Sequence, residues 1–337
     1  MKKILLSVII ILLTGNPVLG QKKPEYVMKL CAIAPEGTSW TDMGHQFADY
    51  IYEKSGGRLK VVWYLGGVMG DEPVAVKKVR LGQLQGGVFT VVGLQKIVPE
   101  VSILTLPNLF KSYDEVDYVL KKMTSPFSRM FEEKGFVFFD WVEIGFVYFF
   151  SKKPIHNLDE IKETKTFYWE GDFISQEMFE TQGYKHPVPL ELFEVLTGLH
   201  TGMVETFYSP YYACLALQWY QYAKYLNAAP LAYTAGGVVV TKEFFDGLPQ
   251  DLKDIFLDAS KIYFPKLTPV IRQDHEKTLE GFRKQGITVI EPTPEVEEQL
   301  EREAREIYTK LKDRYFPQWL LAGILNARAR YRAGLVE

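Results

Sequence analysis

Residues 26–34 (YVMKLCAIA), 35–57 (PEGTSWTDMGHQFADYIYEKSGG) and 58–65 (RLKVVWYL) decide the fold. The first segment is short, apolar and bounded by polar residues, as a buried strand is. In the second, Trp40, Met43, Gly44, Phe47 and Ile51 recur at helical spacing, and Ser55-Gly56-Gly57 stops the helix. Arg58 to Leu65 then reads as a strand again. Strand, helix and strand of these lengths form a parallel pair joined by a crossover helix.

The alternation continues outward. Asp71 caps a helix through Leu81 with Pro73 in its first turn, and Leu84 to Val92 is a strand. Ser112-x-x-Glu115 is a capping box that turns Val116, Val119 and Leu120 inward. Ser125-Pro126 is expected to start a further helix, which Gly135 ends. Phe136 to Val142 and Gly145 to Phe150 read as two aromatic-rich strands, with Phe138, Phe139, Phe149 and Phe150 as core. Thr166 to Trp169 is a short strand, helices start at Asp172, Leu190 and Ser209, and Tyr233 to Thr241 is strongly β. The helical stretch from Pro249 to Gln285 is expected to break at Pro265 and Pro269. Ile287 to Ile290 is a late strand, and Thr293 caps a charged helix to about Arg314. This pattern predicts an α/β protein with mixed, mainly parallel sheets whose ligand sits in a crevice outside the strand ends. The chain is about twice one domain in length, yet no linker divides it. Two lobes sharing crossing strands fit that better than separate domains.

The N-terminus supplies an address. Lys2 and Lys3 precede the apolar run Ile4 to Leu13, and Val18-Leu19-Gly20 offers a small-residue cut site. That order predicts a secretory signal peptide over 1–20; the apolar run is about half a membrane span. Two of the 39 basic residues lie in this leader, leaving 37 against 42 acidic ones. A net negative chain without a basic stripe argues against nucleic acid. The two cysteines, Cys31 and Cys214, are expected as buried free thiols on different lobes. The tail from Pro317 sets Trp319, Leu320, Ile324 and Leu325 against Arg328, Arg330 and Arg332. Docking on its own lobe is the preferred reading, a membrane-surface helix the alternative.

Chemistry is hard to find. His45, His156, His186, His200 and His275 are scattered, with no zinc spacing. No nucleophile elbow, phosphate loop or dinucleotide fingerprint occurs, and Cys214 lies among Tyr211, Tyr212 and Leu215, which disfavours a thiolate. Neither enzyme nor cofactor is implied. What stands out is an aromatic share of 14%, with 22 Phe and 20 Tyr.

Several segments resemble the solute receptors of tripartite ATP-independent periplasmic (TRAP) transporters, the DctP-like family. They are Ala34 to Trp40, Ser55 to Val61, Tyr64 to Asp71, Arg80 to Leu84, Ser151 to Ile155 and Lys242 to Pro249, but most of all Pro99 to Phe110 with Tyr113 to Val116. Their order spans about residues 26 to 300. The resemblance implies a periplasmic receptor with a cleft between two lobes and a long bridging helix, here 24–147 plus 232–275 and 148–231 plus 276–337. It also implies membrane permease subunits as partners, and in some members a tetratricopeptide-containing periplasmic protein.

This sequence departs from the family where the ligand is held. The resemblance implies an arginine that clamps a carboxylate with its planar fork. Phe167 stands there, Val147 stands at a second arginine position, and Thr206-Phe207-Tyr208-Ser209-Pro210 replaces a polar motif. An acid brought in without its cation pays several kcal/mol of desolvation. Phe167, Trp169, Phe207 and Tyr208 are therefore expected to line a cleft for a hydrophobic or amphipathic molecule, with Trp40, Phe89, Trp141, Val147 and Tyr211 around it. Two alternatives stay open: a carboxylate receptor using Lys165, Arg58 or Arg80, and a sensing or docking protein without transport.

Overall fold

The opening βαβ unit forms as read. β1 (Tyr26–Ala32) and β2 (Leu59–Tyr64) run parallel with Tyr26 opposite Leu59, and the helix Ser39–Lys54 crosses between them. The computed structural model describes residues 23–335, so the expected leader lies outside the described residues. The remaining strands are β3 (Gly86–Thr90), β4 (Phe136–Ser151), β5 (Lys165–Trp169), β6 (His186–Leu190), β7 (Thr206–Ser209), β8 (Tyr225–Asn227), β9 (Ala232–Thr241) and β10 (Thr288–Ile290). Their order is β2-β1-β3-β9-β4-β7-β5-β6, with β8 joining β10 to β4.

The flanks are parallel and the centre is antiparallel. β4 and β9 pair along almost their whole length, from Phe136 opposite Thr241 to Val147 opposite Ala232. The start of β4 thus belongs to the sheet half carrying β1 to β3, and its end pairs with β7 and β8 of the other half. These are the crossing strands of a two-lobed α/β fold. The two aromatic strands expected over 136–150 are one strand interrupted by bulges after Phe138 and after Glu143. Gly145 sits at the second bulge with φ +121, a conformation that glycine alone adopts freely.

The expected break at Pro265 and Pro269 does not occur. Gln250–Lys284 is one helix of 35 residues. Both prolines are solvent-exposed and four residues apart, on the face where helix carbonyls tilt toward water and the bonds they forgo are replaced by hydration. The opposite face buries Leu252, Phe256, Phe264, Leu267 and Ile271 in the first lobe's core and Phe282 in the second's. Burying each such side chain returns about 1.5–3 kcal/mol, enough to outweigh two prolines at about 3 kcal/mol each. Likewise Pro126 lies inside a single helix, Tyr113–Glu133, held by Val116, Val119, Met123, Phe127 and Phe131. The C-terminal helix Gln318–Arg332 docks on the chain: Leu320 and Ile324 are buried, and Trp319 faces outward. Arg332 clamps the buried Glu115 of the Tyr113–Glu133 helix, its Nε donating at 2.6 Å. Cys31 and Cys214 are free and buried in separate cores. Burial pushes the Cys31 thiol up to about 12 and raises Cys214 strongly.

Candidate functional site: an apolar cleft between the lobes

The carboxyl ends of β1, β3, β5 and β7 converge on one cavity with the middle of β4 and the start of β9. The cavity has a volume of about 200 Å³. One lobe supplies Trp40 and Met43 from the first turns of the Ser39–Lys54 helix, Trp63 from β2 and Phe89 from β3. The other supplies Trp169 at the end of β5, Met178 from the helix Phe173–Thr181, Tyr208 from β7 and Trp219. Among the described residues, the lining contains no lysine, arginine or histidine.

Polar groups do reach the wall, and the protein already uses several of them. Trp40 Nε1 donates to Glu143 O at 3.0 Å, Trp63 Nε1 to Gly44 O at 2.9 Å and Trp169 Nε1 to Asp71 Oδ2 at 2.8 Å. Those three indoles therefore offer a ligand ring faces and no donor. The Tyr208 hydroxyl accepts from Trp169 N–H at 3.1 Å and lies 2.8 Å from Ser175 Oγ. Ser175 in turn donates to the Asp172 carboxylate, so Tyr208 donates to Ser175 and its hydroxyl is committed. Asp172 caps the Phe173–Thr181 helix, and burial raises its carboxyl above the usual range.

Glu72 is the second acid in the wall and is wholly buried. It accepts from Thr90 N–H at 2.7 Å, Thr90 Oγ1 at 2.6 Å and Gly93 N–H at 2.7 Å. Those donors favour the charged form, but burial dominates and pushes the group up to about 8. A cavity with two acids and no base is the electrostatic opposite of a carboxylate clamp.

Of the residues expected from sequence, Trp40, Phe89, Val147, Trp169 and Tyr208 line the cavity. Phe167 lies behind it, its ring stacked on Tyr208 at 5.5 Å and edge-on to Trp219 at 5.6 Å. Phe207 also lies behind it, parallel to Phe150 at 5.2 Å and edge-on to Trp219 at 5.6 Å. Trp141 is held in the first lobe, donating to Thr124 Oγ1 at 2.9 Å, and Tyr211 stacks on Tyr148 at 4.2 Å. The lining also holds Met43, Trp63, Met178, Trp219 and Tyr233, which pattern alone did not single out. Nothing local marks them; the five lie on five different elements that only the tertiary fold brings together.

The alternative cations are elsewhere. Lys165 shares a side of β5 with Phe167 but sits at the wrong end, four residues or about 13 Å from Trp169. Its Nζ reaches Gly202 O at 3.4 Å. Arg58 pairs on the surface with Glu25 and Asp251, and Arg80 donates to Lys96 O over the Phe136 ring.

The family described as bacterial extracellular solute-binding protein, family 7 (DctP), matches residues 30–314. The chain belongs to that family. Its members are solute receptors of TRAP transporters and not enzymes; they bind small ligands and deliver them to a membrane permease. A solute-binding protein of Verminephrobacter eiseniae is 26% identical over 251 residues, 73% of each chain. The 2,3-diketo-L-gulonate-binding periplasmic protein YiaO of Escherichia coli is 23% identical over 259 residues, 75% of this chain and 78% of that one. In structure the DctP-family receptor is similar to the sugar acid binding protein DctPAm of Advenella mimigardefordensis, solved with galactonate. The TM-score is 0.85 and the identity 22%, over 91% of this chain and 99% of that one. A TRAP receptor of Sulfurospirillum deleyianum with bound succinate gives a TM-score of 0.81 at 22% identity, over 90% and 99%.

Proposed function

We propose that this receptor captures a hydrophobic or amphipathic molecule in the inter-lobe cleft and hands it to a TRAP permease. The observation that carries this reading is the lining. Three committed indoles, a committed tyrosine and two buried acids face the ligand, and no cation does. A monoanion placed there would lose hydration with no positive partner, at several kcal/mol. Apolar surface gains about 25 cal/mol per Å², so about 300 Å² buried offers some 7.5 kcal/mol, in the micromolar range before ordering costs. The relatives solved with galactonate and succinate carry acids; a different cargo here is in keeping with Phe167 standing where the family resemblance implies an arginine. The receptor works in the periplasm after its leader is cut near Gly20. Its lobes are 24–147 with 232–275 and 148–231 with 276–337, the C-terminal helix reaching back to clasp the first. A tetratricopeptide protein is a candidate intermediary for so insoluble a cargo.

Native mass spectrometry of the secreted protein, purified without refolding, tests the reading. An apolar molecule should co-purify and leave on transfer to organic solvent. Micromolar binding of succinate or galactonate to protein carrying no such molecule would overturn it.

A further inference from the structure

Asp71 stands in the turn after β2, in the lobe of β1 to β3, and is 3% exposed. Its two oxygens do different things. Oδ1 accepts from Glu72 N–H at 2.8 Å and caps the helix Glu72–Arg80. Oδ2 crosses the cleft, accepting from Trp169 Nε1 at 2.8 Å and from Leu192 N–H at 3.1 Å. Both of those residues belong to the other lobe, and the side chains of both line the cavity. The same crossing is reinforced nearby. Gln95 Nε2 and Lys96 Nζ donate to Gly171 O at 2.9 and 2.7 Å. Gly67, at φ +73, lets the Phe193 ring lie where a Cβ would sit 2.0 Å away.

We propose that Asp71 is a cross-cleft positioning residue, whose carboxylate latches Trp169 and Leu192 so that the cavity's second wall is finished only when the lobes are together. It touches no ligand itself. A buried carboxylate whose second oxygen takes two donors from the opposite lobe makes closure all-or-none, because opening strips both from one charge at once. The latch acts on the walls and is independent of the ligand's polarity.

The cap and the latch can be separated. Asp71→Ser keeps a short N-cap acceptor for the helix but cannot span the cleft. The full mature chain, labelled with nitrogen-15, should show one indole N–H resonance that disappears in Trp169→Phe. In Asp71→Ser that resonance should move upfield, as an indole released from a carboxylate does. Amide exchange at Leu192 should quicken by about tenfold or more, while the Glu72–Arg80 helix stays within about twofold. Adding Trp169→Phe to Asp71→Ser should cause little further change at Leu192, because one contact is already broken. An unmoved indole resonance with unchanged Leu192 exchange would overturn the latch. Exchange rising equally along the Glu72–Arg80 helix would reduce Asp71 to its cap.

Discussion

Placing an arginine at position 167, where the family resemblance implies one, is the most direct challenge to the apolar cleft. Phe167 is 1% exposed and lies behind the wall, touching Tyr208 and Trp219 with its ring. Phe167→Arg removes about 1.5–3 kcal/mol of apolar burial. Two aromatic pairs worth about 0.5–1.5 kcal/mol each go with it. The guanidinium then enters a core of Phe150, Phe207, Trp219 and Leu226, where an unpaired charge costs several kcal/mol more. The total is about 5 kcal/mol or above, a large part of the 5–15 kcal/mol that holds a typical domain. Circular-dichroism melting should therefore show a fall in Tm of about 10 °C or more, and calorimetry should show no binding of succinate. Phe167→Leu should melt within a few degrees of the native chain. The reasoning fails if Phe167→Arg melts like the native protein and binds succinate at micromolar concentration. The arginine would then have found room and a ligand where the structure offers neither.

Three other outcomes are expected. Gly145→Ala forces a non-glycine into φ +121 and sets its Cβ 2.4 Å from His275 Nε2, so the cost is about 2–4 kcal/mol, read as a fall in Tm; an unchanged Tm would mean that the bulge relaxes freely. Tyr212 N–H points at His275 Nδ1 at 3.3 Å and Nε2 lies 2.8 Å from Ile144 O, which fixes the neutral ring with its proton on Nε2. Burial lowers His275 to about 4 from an ordinary 6.5, so the unfolded chain takes the proton first as pH falls. Stability present above about pH 6.5 is lost toward pH 4, by up to about 3 kcal/mol, and His275→Gln should flatten that limb of a urea-denaturation series. Arg332→Ala leaves the buried Glu115 carboxylate with Lys111 N–H as its neighbour at 2.7 Å and should cost about 1–3 kcal/mol, with proteolysis quickened in the C-terminal helix.

The sequence by itself determined the fold class, because strand and helix periods are local and each element carries its own caps. Asp71, Ser112 and Thr293 each stand at the start of the helix they were expected to cap. It also carried the expectation that Phe167 stands where the family resemblance implies an arginine, a reading of residue order that needs no coordinates. The helix breaks were misjudged because propensity is a local quantity and burial is not. Pro126, Pro265 and Pro269 are tolerated because the faces opposite them are packed. Only the tertiary structure decided which aromatics face the ligand. Side chains alternate across a strand, so Phe207 and Tyr208, adjacent in sequence, go to opposite sides of β7. Phe167 and Trp169 share a side of β5, yet only the one nearer the strand's carboxyl end reaches the cavity. The tertiary structure also decided that Asp71, read locally as a helix cap, spends its second oxygen across the cleft. That bond joins residues 98 and 121 positions apart, a separation at which no local pattern carries information.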